Sequence, residues 1–104
     1  MYYNEAEDWM CENIGAFCAR NGWHSTFYEG YAYTEGYEEI GEDYVTMRIY
    51  NLKNEIFVTY VTYWTKHDDF EISVDGNESN VGISKEEIAG KVKEIISKFD
   101  SLAA

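Results

Sequence analysis

Residues 56–65 read IFVTYVTYWT, and every one of the ten is β-branched or aromatic. Side chains of this kind fill the pleated surface of a sheet and lose rotamer freedom in a helix. The stretch is the strongest strand signal in the chain. Strand-like segments flank it on both sides, so it is expected at the centre of a sheet. Upstream, in residues 44–50, Val45, Met47 and Ile49 alternate with Tyr44, Thr46, Arg48 and Tyr50. A period of two puts the first set on a core face and the second on the other face. Downstream, Phe70, Ile72 and Val74 alternate with Glu71, Ser73 and Asp75 before Asp75-Gly76-Asn77 supplies a turn.

Working outward, residues 25–34 are rich in Thr, Phe and Tyr and read as a strand that Gly30 interrupts. The ends of the chain change period. Asn4 and Glu7 have capping-box spacing, and Ala6, Met10, Ile14 and Phe17, with Trp9 beside them, recur at helical intervals until Asn21-Gly22. Ser84 and Glu87 form a second capping box, followed by an apolar stripe through Ile88, Val92, Ile95, Ile96, Phe99 and Leu102. The expectation is one α+β domain over residues 1–104: helix 5–20, strands 25–34, 44–51, 56–65 and 69–75, and helix 85–102. The four strands form an antiparallel meander with both helices packed on one face. The other face is left to tyrosines, threonines and acids.

A chain of 104 residues buries roughly 60–70% of its extended surface, enough for an unstapled core. With 45% apolar and 17% aromatic residues it falls outside the disordered class. Its formal charge of −12 argues against direct binding to nucleic acid or to an anionic membrane, both of which demand a basic patch. The start of the chain lacks a basic segment followed by an apolar one, and a cytoplasmic location is expected. Cys11 and Cys18, seven apart on one helix, lie too far apart to pair and read as small core residues.

The charge is unevenly placed. Residues 84–104 hold four acids and four bases, so the excess lies in residues 1–83, where sixteen acids meet four bases. Within YEGYAYTEGYEEIGEDY, residues 28–44, no lysine or arginine balances Glu29, Glu35, Glu38, Glu39, Glu42 and Asp43. Tyr31, Tyr33, Tyr37 and Tyr44 are interleaved with them, and Gly30, Gly36 and Gly41 offer turns or bulges. A plain solvated loop is the simplest use of such a segment. Its functional use is to present carboxylates about 6.6 Å apart along a strand, with rings between them, to a groove built for phosphates and bases. These ten acids and tyrosines are the candidate partner-binding residues.

The acidity concentrated in YTEGYEEIGED, the small size and the mixed α/β order resemble the small phage-encoded inhibitors of bacterial defence nucleases, of anti-CRISPR and anti-restriction type. The resemblance is one of composition and layout over the whole chain, without a shared motif. It implies a non-enzymatic, DNA-mimicking inhibitor whose partner is a basic, nucleic-acid-handling protein. An immunity or antitoxin-like protein that neutralises a basic toxin would use the same physics. A third reading is an aromatic pocket of Trp23, Trp64 and sheet tyrosines that stacks on a sugar or other small ligand.

Signals of catalysis are weak. No pattern places Cys11 or Cys18 beside His24 or His67 as a nucleophile and base. KHDDFE, residues 66–71, gathers His67, Asp68, Asp69 and Glu71 but matches neither zinc nor calcium-loop spacing, and reads as a polar turn. No glycine motif opens onto a helix to cradle phosphate. No cofactor or metal is expected. Unpaired sheet edges leave homodimer formation open.

Overall fold

The strand signal at the centre of the chain becomes β3 (Asn54–Trp64), flanked by β2 (Ile40–Asn51) and β4 (Asp69–Val74). A computed structural model describes residues 1–34, 40–51, 54–74 and 79–102, and side chains for all of these except 33–34, 40, 54–58 and 99–102. β1 (His24–Thr34) pairs with β2, and a short β5 (Asn80–Ile83) pairs with β4. All neighbours are antiparallel in the order β1-β2-β3-β4-β5. The sheet thus has five strands where four are expected. β5 escapes a reading by periodicity because it has four residues, one buried side chain (Ile83) and a glycine at positive φ, Gly82. It follows the expected Asp75-Gly76-Asn77 turn, which lies outside the described residues.

The alternation in β2 and β4 sorts side chains as the sequence indicates. Val45, Met47, Ile49, Phe70 and Ile72 are buried together with Val61 and Tyr63 of β3. Directly paired residues of neighbouring strands share a face, and Val45↔Tyr63, Met47↔Val61 and Tyr63↔Phe70 are such pairs. These residues, with Ala6, Met10, Ile14, Cys18, Trp23, Ile88, Val92 and Ile96, form one core cluster.

The amino-terminal helical stretch runs α1 (Tyr3–Met10), a π turn (Cys11–Gly15) and α2 (Ala16–Arg20). Its buried residues Ala6, Met10, Ile14 and Cys18 repeat every fourth position. An ideal α-helix turns about 100° per residue, so each such step overshoots a full turn by about 40°. The π turn, in which the Ala16 N–H bonds to the Cys11 carbonyl, takes up part of that drift. The row therefore stays in the core through Cys18, whereas a regular helix would have brought Phe17 inward. Phe17 is half-buried, and Cys11 is exposed rather than a core residue. Gly15 lies where a Cβ would come within 3.3 Å of the Met47 methyl, so it permits the close approach of helix to sheet.

The stretch ends in a Schellman motif, with Gly22 at φ +78° and the Trp23 N–H bonded 2.9 Å to the Cys18 carbonyl. At its start the helix begins at Tyr3 without a side-chain cap, and the Asn4 side-chain oxygen accepts the N–H of its neighbour Glu5. The final helix, α3 (Lys85–Leu102), packs on the π turn and β4. The Ser84 hydroxyl donates to the Glu87 carboxylate across its first turn, 2.9 Å. Among the described residues no helix is long and apolar enough to cross a membrane.

Candidate functional site

The upper part of the β1–β2 ladder pairs Gly30 with Tyr44, Tyr31 with Asp43, Ala32 with Glu42 and Tyr33 with Gly41. Gly30 and Gly41 therefore lie within strands and in register; neither makes a turn or bulge. Each is a seat for a ring. A Cβ on Gly30 would run into the hydroxyl edge of the Tyr44 ring, and one on Gly41 into the same edge of Tyr31. Tyr44 also packs on Trp64, with ring centroids 5.1 Å apart. This pair lies on the face opposite Val45 and Tyr63, because successive residues of a strand point to opposite faces.

The same alternation separates Glu42 from Asp43. The Glu42 carboxylate is fully buried under the β3–β4 turn, so the expectation of an unneutralised, partner-facing acid is corrected here. One of its oxygens accepts the backbone N–H groups of Lys66 (3.2 Å) and His67 (3.4 Å), and the other lies 2.5 Å from His67 Nδ1. A carboxylate removed from water requires such donors. Glu42 thus clamps the turn. Thr65 adds to the clamp, bonding the Asp43 carbonyl through its N–H (3.1 Å) and its hydroxyl (2.7 Å).

Asp43 faces the other way and is exposed. It borders two adjoining open hollows of about 490 and 380 Å³ that share Tyr3 and Asp43. The first is completed by Met1, Tyr2, Glu5 and Thr65, the second by Glu29, Gly30, Tyr31 and Tyr44. Together they make a groove between the start of α1 and the β1–β2 ladder. Three carboxylates (Glu5, Glu29, Asp43) and three well-exposed rings line it: Tyr2 at 78%, Tyr3 at 44% and Tyr31 at 59% exposure. Among the described residues no lysine or arginine lines it. The Met1 amine at its rim is 2.8 Å from the Tyr63 hydroxyl and 3.7 Å from the Asp68 carboxylate.

KHDDFE disperses its acids. His67 turns to Glu42, and Asp68, at φ 53°, accepts a hydrogen bond from the Tyr63 hydroxyl. That bond holds the Asp68 carboxyl below its ordinary range, while burial first and the same bond second push the Tyr63 phenol up. Asp69 and Glu71 lie two apart on β4, on the face of Trp64 and Thr62 with which they pair. Burial raises both, and Asp69 adds to the rise of Glu71. Among the described residues no group of three His, Cys, Asp or Glu side chains is placed to hold a metal ion. Burial, reinforced by Glu7, Asp8 and Glu12, raises the Cys11 thiol; burial lifts Cys18 to about 11.

Of the ten candidate residues, the structure brings Glu29, Tyr31 and Asp43 to one groove, which Tyr44 borders from the strand while its ring lies over Gly30 on the other face. It withdraws Glu42 into the clamp. The backbone of Tyr33 pairs with Gly41, but its side chain, and Glu35, Tyr37, Glu38 and Glu39 altogether, lie outside the described residues. Tyr2, Tyr3 and Glu5 join the groove without having been singled out. Their signal is faint in the sequence, because only the docking of α1 against β2 brings them to the hairpin. Trp23 is in the core cluster and Trp64 is on the opposite face, so the two do not line a common pocket. Comparisons with protein-family models, with curated proteins and with solved structures find no match.

Proposed function

We propose that this protein is an acidic, non-enzymatic binding protein that inhibits a basic nucleic-acid-handling protein by occupying its nucleic-acid groove. The reading suits a cytoplasmic inhibitor of anti-CRISPR or anti-restriction type. What supports it is the groove: Glu5, Glu29 and Asp43 interleaved with exposed tyrosines, without a lysine or arginine among the described lining residues. Carboxylates steer a cationic surface into contact, and tyrosine rings supply the desolvated anchors that give such contacts affinity. In this reading both helices cover the face of the sheet that carries Val45, Met47 and Ile49, and the amino-terminal end of α1 frames the groove.

The test is capture from a host lysate at low and high salt, followed by challenge with nucleic acid. A cationic partner is released by salt and by nucleic acid. The triple variant Glu5→Gln, Glu29→Gln, Asp43→Asn is expected to capture it at least about tenfold more weakly, with a flatter salt dependence. Capture that ignores nucleic acid and the triple variant alike sinks the reading.

A further inference from the structure

We propose that the outer edge of β1 is a strand-addition site, along which an extended, arginine- or lysine-bearing segment of a partner protein pairs and lengthens the sheet. The proposal rests on the reading that the partner is cationic, and adds how it docks. The two edges of the sheet differ. β5 is four residues long, breaks register between Phe70↔Ile83 and Ile72↔Asn80, and carries Gly82 at positive φ. β1 is eleven residues long and pairs with β2 residue for residue, without a shift.

Natural sheets blunt a long edge with lysine, proline or a bulge, because its unsatisfied N–H and C=O groups template another strand. β1 has none of these. The whole chain lacks proline, and no lysine or arginine occurs between Arg20 and Arg48. The edge is long and regular, and no lysine, proline or bulge interrupts it.

Charge selects the guest. A second copy of this chain would bring another −12 to the contact, whereas a cationic segment meets an unbalanced acid field. On the groove side of β1 stand Glu29 and Tyr31, with Asp43 directly across from Tyr31. Tyr28, exposed, lies on the reverse side. A guest strand presents alternate side chains to each side, so basic residues at every second position face Glu29 and the groove.

The experiment uses the full chain and two peptide probes: an octapeptide of alternating arginine and threonine, and the same peptide with its four central amides N-methylated. Charge is equal in both; only the first can pair as a strand. The unmodified peptide is expected to bind at least about tenfold more tightly, the consequence of losing several net-favourable hydrogen bonds. Alternate β1 amides are expected to gain protection from hydrogen exchange in its presence. Equal, salt-sensitive binding of the two peptides overturns strand addition and leaves the cationic-partner reading standing. Binding of neither peptide overturns both. Protection of β1 amides that depends on protein concentration, without peptide, assigns the edge to a second copy and also overturns the proposal.

Discussion

The clamp around Glu42 and the groove around Asp43 are separated by one peptide unit of β2, yet they treat negative charge in opposite ways. Glu42 is wholly removed from water and surrounded by donors from Lys66 and His67. Asp43 is exposed beside Tyr3 and Tyr31, with Glu5 and Glu29 lining the same groove. One carboxylate is used inward, to hold the β3–β4 turn over the end of the sheet; the other adds to an outward field. Acidic composition is therefore not a single property of this chain. Its meaning at each position is set by the face of the pleat and by what folds over it.

The largest effect that separates the two regions is on stability. Glu42→Ala leaves the Lys66 and His67 donors without their buried acceptor and is expected to cost about 2–3 kcal/mol, read by urea unfolding. Asp43→Ala is expected to change stability by less than about 0.5 kcal/mol, as exposed substitutions do. Equal effects of the two changes would break the contrast. Partner capture reverses the ranking, with Asp43→Ala weakening it more than the conservative Glu42→Gln.

What the sequence discloses and what it conceals divides along similar lines. Alternation in residues 44–50 and 70–74 is a local signal, and the burial of Val45, Met47, Ile49, Phe70 and Ile72 follows it. The fate of Glu42 is not local: in sequence it is one more acid in EEIGED, and only the return of residues 65–67, more than twenty positions later, covers it. The groove is equally non-local, since Tyr3 and Glu5 reach Glu29 and Asp43 through the packing of α1. The π turn conceals the fate of Phe17, which the helical period places inward and the structure leaves half-buried, whereas the core place of Cys18 agrees with its reading from sequence. β5 is too short to show a period.

The glycine seats sharpen the comparison at a smaller scale. Gly30→Ala sets a methyl against the Tyr44 ring, 2.7 Å from its Cε1, and Tyr44 is backed by Trp64. With the ring unable to retreat, a cost of about 1–2 kcal/mol is expected in urea unfolding. Gly41→Ala meets Tyr31 along the same edge, from its hydroxyl to Cε1 at 2.9 Å, but at a ring that is 59% exposed. Stability is then expected to change by less than about 1 kcal/mol.

The smallest expected effect concerns Asp68 and Asp69, consecutive residues on which the turn and the sheet face act with opposite sign. The Tyr63 hydroxyl depresses the folded pKa of Asp68, so its contribution is present above its ordinary 3.8 and is lost as pH falls below that value. Burial, with help from Glu42, raises the folded pKa of Asp69 above 3.8. Its charged form is therefore a cost near neutrality, and stability is regained as pH falls through the raised value and is fully regained below 3.8. Acidification should relieve the sheet-face penalty first and weaken the turn second. In thermal melts from pH 7 to pH 3, Asp69→Asn should remove part of the early gain, and Asp68→Asn part of the late loss. Asn is a fit replacement at position 68, because it tolerates the positive φ found there. Asp68 is largely exposed, so solvent keeps its share small, and the sign of each difference carries the test. If the two variants shift the melting profile in the same direction, the separation of turn from sheet face does not extend to these neighbours.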